Sequence, residues 1–118
     1  MISVIKNNIL NSWMDGYNIY RSERFNKKFS KLDNSIKIRI EKEIENIKNN
    51  PRIGKPLGYK FFRERKVGVY RVYYLIYEEY IVVLLVGISK KIDQQKIINE
   101  IRDMWAYYKE FVKRKLRH

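Results

Sequence analysis

The sequence predicts an α+β fold with helices packed on an antiparallel sheet, and three features lead there. Between positions 23 and 47 apolar residues recur every three or four places, from 60 to 88 the chain turns aromatic and β-branched, and from 97 to 112 a second helical stripe follows. A chain of 118 residues has room for one domain with a modest core. No internal repeat or low-complexity tract interrupts the order.

Residues 1–16 form an N-terminal extension ahead of the main domain over 17–118. Val4, Ile5, Ile9, Leu10, Trp13 and Met14 share one helix face there, and Gly16 closes it. A short strand is expected from Tyr17 to about Arg21, and Ser22 stands where an N-cap belongs. The first core helix carries Phe25, Phe29 and Leu32; Asp33, Asn34 and Ser35 break it and cap the second. That second helix has Ile36, Ile40, Ile44 and Ile47 on one face and Lys, Arg and Glu on the other, which completes a helical hairpin. Asn49 to Gly58 holds both prolines and two of the five glycines and reads as a loop. Three strands follow, Lys60 to Arg65, Tyr70 to Tyr77 and Tyr80 to Ile88, with turns near Gly68 and at Glu78-Glu79. The last strand shows no alternation over Ile81 to Val86, so it is central and covered on both faces. One C-terminal helix, capped by Asp93, supplies the second cover through Ile97, Ile101, Met104, Trp105, Tyr108 and Val112, and a basic tail ends it.

Lys and Arg number 26 against 13 Asp and Glu, a net charge of +13 and a pI near 9.9. Such an excess attracts polyanions by displacing their counterions, with nucleic acid ahead of a membrane surface because no run of 18 apolar residues and no signal-peptide pattern is present. The plain alternative is a proteome rich in Lys and Ile. There is no cysteine, and the one histidine, His118, is the last residue. Thiolate metal sites, disulfides and histidine-based catalysis are therefore excluded; no metal or cofactor is expected, and a reducing cytoplasm is the expected setting.

Four segments carry a resemblance. They are the opening strand leading into Phe25-Asn26-Lys27-Lys28-Phe29-Ser30-Lys31-Leu32; Asn50-Pro51-Arg52 with Gly54-Lys55-Pro56-Leu57; Lys66-Val67-Gly68-Val69-Tyr70-Arg71-Val72; and the apolar strand running into Lys90-Lys91. In this order the chain resembles the RelE/ParE toxin superfamily, most of all archaeal RelE, over Tyr17 to about Ile97. The resemblance implies the toxin of a type II toxin-antitoxin system: a ribosome-dependent, metal-independent mRNA endonuclease, neutralised by an acidic RelB-like antitoxin in a heteromeric complex. It also implies a catalytic cluster of basic residues on the sheet, matched by Arg71, Lys91, Lys66 and Arg65, with Arg63, Lys60, Lys90 and Tyr73 as RNA-binding candidates. Two positions depart from the family. Glu64 stands where some members have a cation, and Ile97 where several ribosome-dependent members have a tyrosine.

Attack of an RNA 2′-hydroxyl on its own phosphate needs a proton acceptor, stabilisation of the phosphorane and a proton for the leaving 5′-oxygen. The Arg71 fork suits the phosphorane, and cations crowded together release a proton more readily, which makes Lys66 and Lys91 the candidate proton carriers. Each residue has a plainer reading. Arg71 pairs with Glu64 or Glu78; Lys90 and Lys91 are solvated at a strand end; Arg63, Arg65 and Lys66 protect an edge strand. Alternation puts Tyr73 and Tyr77 on the face of Arg71. Trp105, Tyr107 and Tyr108 are candidate antitoxin contacts. Two other functions stand beside the nuclease: a ParE-like inhibitor of DNA gyrase, and a non-catalytic nucleic-acid-binding module.

Overall fold

The computed structural model describes residues 16–117. The helix expected over the first sixteen residues lies outside them except for Gly16, as does His118.

The chain begins with β1 (Asn18–Arg21), after which Ser22 caps α1 (Glu23–Ser30) by accepting the Phe25 amide at 3.1 Å. Asp33 stands at the N-cap of α2 (Asn34–Asn49) without a side-chain capping bond. A 3₁₀ turn over Pro51–Ile53 leads to β2 (Lys55–Tyr59), β3 (Phe62–Val67) and β4 (Tyr70–Tyr77). A second turn, Glu78–Tyr80, leads to β5 (Val82–Lys90), and a third, Lys91–Asp93, to α3 (Gln94–Arg102) and α4 (Trp105–Leu116). The sheet order is β1-β5-β4-β3-β2, antiparallel except for the β1–β5 pair.

Two expectations need correction. The stretch read wholly as a loop contains β2, an edge strand that pairs Lys55 with Glu64 and Pro56 with Arg63; an edge tolerates proline because one side of the strand needs no ladder donor. The single C-terminal helix is two. Asp103, a poor interior residue, ends α3 with its amide on the Asn99 carbonyl, and α4 restarts at Trp105.

The sheet is buried on both faces. Phe25, Ile40, Ile44 and Ile47 of the hairpin pack against Val72, Tyr74, Val83 and Leu85, while Ile101, Tyr108 and Val112 pack against Phe62, Tyr73, Leu75 and Leu84. Every residue of β5 from Val82 to Ser89 is buried, as the missing alternation predicts.

Four of the tyrosines in these layers, Tyr73, Tyr74, Tyr77 and Tyr108, are held above the ordinary phenol value of 10.0, in each case chiefly because burial disfavours the phenolate. The folded state therefore keeps protons that the unfolded chain releases above pH 10. Stability is fully present below that pH and falls as pH rises through the folded values, by up to about 1.4 kcal/mol per pH unit per hydroxyl. Thermal melts between pH 9 and 11.5 should show Tm flat at first and then dropping steeply; a flat profile throughout would contradict the burial of these hydroxyls.

Candidate active site on the sheet

Register decides which side chains meet. Residues directly opposite in an antiparallel pair share a face, and β3 sets Lys66 opposite Arg71 and Glu64 opposite Tyr73. On the other side of β4, Ser89 stands opposite Arg71 and Gly87 opposite Tyr73. The β4–β5 register slips between Tyr73 and Tyr74, where β5 carries Val86 as an extra residue. Without this bulge Ile88 would stand opposite Arg71. With it, Ser89 reaches the Arg71 face and Lys90 the opposite one, where its ammonium lies 5.7 Å from the centre of the Tyr70 ring.

Arg71 is nearly enclosed, its side chain 11% exposed, and its Nε stands 3.5 Å from Oε2 of Glu64, itself 8% exposed. Gln94, the first residue of α3, donates to both Glu64 oxygens at 2.7 and 2.9 Å. Among the described residues the terminal nitrogens of the Arg71 guanidinium have no hydrogen-bond partner, so they are free to meet a ligand. The Tyr73 hydroxyl is 2.8 Å from Ser89 Oγ, which donates to the Lys90 carbonyl; Tyr73 is thus the donor in its pair. Burial, partly offset by that hydrogen bond, pushes the Tyr73 hydroxyl up and keeps it protonated. Lys66 is exposed on the same face, and Lys91 is exposed in the turn that joins β5 to α3.

The other expected residues do not join this cluster. Arg63 and Arg65 alternate with Glu64 and Lys66 and so face the hairpin. Arg63 donates to the carbonyls of Lys60, Arg52 and Gly54, and Arg65 binds Glu43 of α2 and the Ile53 carbonyl. They lock the Pro51–Ile53 turn, together with the Tyr74 hydroxyl, which donates to the Pro51 carbonyl and accepts the Gly54 amide at 3.0 Å. No Cβ fits at Gly54, because it would collide with that hydroxyl and the Glu64 carbonyl. The Asn-Pro-Arg-Ile-Gly segment is a scaffold for β3. Lys60 lies in the β2–β3 turn, six residues along β3 from Lys66 and about 20 Å away at strand spacing. Ser89 and Gln94 are the members the sequence reading missed, while Glu64 pairs with Arg71 as its plainer reading had it.

Ile97 is half-buried in the core between α3 and the sheet, with its Cγ2 3.5 Å from where a Cβ on Gly87 would stand. A ring does not fit there without displacement. Ile97→Tyr should lower stability by roughly 1 to 3 kcal/mol through overpacking, read by chemical denaturation, and unchanged stability would place position 97 outside the core. Of the three residues named as antitoxin contacts, Tyr108 is buried, Tyr107 exposed, and Trp105 packs edge-on against Phe62 at 5.2 Å and Phe61 at 5.3 Å. No helix among the described residues is long and apolar enough to cross a membrane.

The architecture has solved counterparts. A variant of the E. coli toxin RelE in the free state matches with a TM-score of 0.67 at 22% identity, over 76% of this chain and 98% of that one. The intact E. coli RelBE toxin-antitoxin complex matches with a TM-score of 0.59 at 25% identity, over 64% and 96%. The archaeal RelE-RelB complex of Pyrococcus horikoshii matches with a TM-score of 0.56 at 16% identity, over 64% and 94%, a likeness of fold. None of the curated proteins matches the chain. A family model described as the ParE toxin of the type II toxin-antitoxin system parDE matches residues 19–93. That span takes in both hairpin helices, Arg71 with Glu64, Lys66, Tyr73 and Ser89, and the whole sheet except the first residue of β1, and the chain accordingly belongs to the ParE toxin family of type II toxin-antitoxin systems, within the RelE/ParE superfamily.

Proposed function

We propose that this toxin cleaves mRNA on the ribosome without a metal ion and is held inactive by an acidic, RelB-like antitoxin. The observation that carries this reading is Arg71, a nearly enclosed guanidinium with one long carboxylate contact and free terminal nitrogens, on a face shared with Lys66. A scissile phosphate bound there accepts from the Arg71 fork, which stabilises charge that develops only as the phosphorane forms. Glu64, oriented by Gln94, takes the 2′-hydroxyl proton as O2′ bonds to phosphorus. The P–O5′ bond breaks, and the ammonium of Lys66 or Lys91 protonates the departing oxygen, leaving a 2′,3′-cyclic phosphate and a 5′-hydroxyl. The cytoplasm, where ribosomes and mRNA meet, is the site of action in this reading. A net charge of +13 favours both RNA and an acidic antitoxin chain.

Purified toxin added to mRNA-programmed ribosomes should yield defined new 5′ ends, and those ends should persist when EDTA is added after ribosome integrity is secured with polyamines. Cleavage lost with EDTA and restored by a divalent ion would overturn the metal-free chemistry. Gyrase inhibition is the second reading, favoured by the match to the ParE toxin model and by the carboxylate that faces Arg71. Loss of gyrase supercoiling, with ribosome-bound mRNA left intact, would establish it in place of the first.

A further inference from the structure

A basic cleft lies away from Arg71. It has a volume of about 450 Å³ and opens between α1 and α4. Arg24, Lys27 and Lys28 of α1 and Lys31 at its C-cap line one wall at helical spacings of three and four, so four cations face the cleft against one carboxylate, Glu23. Met104, Tyr107 and Tyr108 line the other wall. Arg24 is oriented by Glu100, whose Oε1 accepts from its Nη2 at 2.8 Å. This leaves Arg24 Nη1 buried with no partner among the described residues, and the Tyr108 hydroxyl, on a residue 1% exposed, is in the same condition. Buried polar groups without partners are rare because each costs its full desolvation. Here two donors beside the lysines await an acceptor. Glu100 Oε2 is also buried and unpartnered.

We infer that this cleft is a second RNA site, which holds a backbone phosphate of a single-stranded segment on Arg24, Tyr108 and the α1 lysines. A phosphodiester fits these donors better than a carboxylate does, because its two non-bridging oxygens diverge and accept from separate directions. The four cations span about 10 Å along α1, which lets adjacent phosphates share them. Tyr107, 48% exposed beside this row, offers a face for stacking a base. The inference takes RNA as the target from the proposed function but concerns equilibrium binding only, so binding through the cleft and cleavage at Arg71 succeed or fail separately.

The test is fluorescence anisotropy of the full-length toxin with a labelled short single-stranded oligoribonucleotide across a salt series. The double variant Lys28→Glu, Lys31→Glu is compared with Lys42→Glu, Lys96→Glu, which makes the same charge change at exposed positions outside the cleft. The cleft pair should bind at least about tenfold more weakly than the control pair, with a log–log salt slope shallower by roughly 1 to 2. Tyr108→Phe, which only removes a partnerless hydroxyl, should keep or raise Tm while affinity falls by about fivefold or more. Equal losses in the two lysine pairs, or unchanged affinity in Tyr108→Phe, would overturn the site. So would a cleft pair that keeps its RNA affinity and loses only binding to a polyglutamate peptide. Tight RNA binding through the cleft by a wild-type toxin that cuts nothing would uphold this site while defeating the nuclease reading.

Discussion

Arg71→Ala should abolish growth arrest when the toxin is induced, with single-turnover cleavage down by about a hundredfold or more. Removing a preorganised donor aimed at developing charge typically costs that much. Assigned to the charge of the phosphorane and not to packing, Arg71 would be lost with the fold intact. Its 11% exposure and its pairing with Glu64 change that expectation: the variant also strands a nearly buried carboxylate, and stability should fall by about 1 to 3 kcal/mol. Arg71→Lys separates the two effects. It keeps the charge beside Glu64 and loses the two-pronged contact, so Tm should recover while cleavage stays low. A toxic, stable Arg71→Ala would remove the residue from the chemistry.

Glu64→Gln carries the second large expectation. The amide keeps the shape of the carboxylate but cannot take the 2′-hydroxyl proton, so the rate should fall by about 10² to 10⁴ at neutral pH. It also leaves the enclosed Arg71 charge without its counterion. Breaking such a pair from one side costs about 3 kcal/mol. Unfolding by denaturant and cleavage kinetics together decide the assignment. If Glu64 served only to neutralise Arg71, its loss would free the guanidinium and cleavage would rise.

Much of this architecture was legible in the chain. Ser22 announced the start of α1, the isoleucine spacing marked the face of α2, and Gly68, with φ of +60°, and Glu78-Glu79 marked the turns. The unbroken apolar run located the strand buried on both faces, and β4 runs from Tyr70 to Tyr77 as read. What escaped depends on pairing across space. The strand Lys55–Tyr59 hid behind Pro56, since an edge position is invisible until the neighbours are known. The bulge at Val86 lies inside a uniformly apolar stretch, so nothing local signals that Ser89, and not Ile88, faces Arg71. For the same reason, counting cations along β3 joined Arg65 to Lys66. Alternation places them on opposite faces, and Arg65 spends its contacts on Glu43 and Ile53. Alternation along β4 did place Tyr73 beside Arg71, whereas the role of Gln94 required the packing of α3 against the sheet.

The most direct test of the account is single-turnover cleavage on ribosomes programmed with an mRNA bearing a single 2′-deoxynucleotide on the 5′ side of the scissile phosphate. Attack by the 2′-hydroxyl requires rapid cleavage of the all-ribose message to a 2′,3′-cyclic phosphate and no detectable cleavage of the deoxy-substituted one. Equal cleavage of both messages, or of neither, would contradict it.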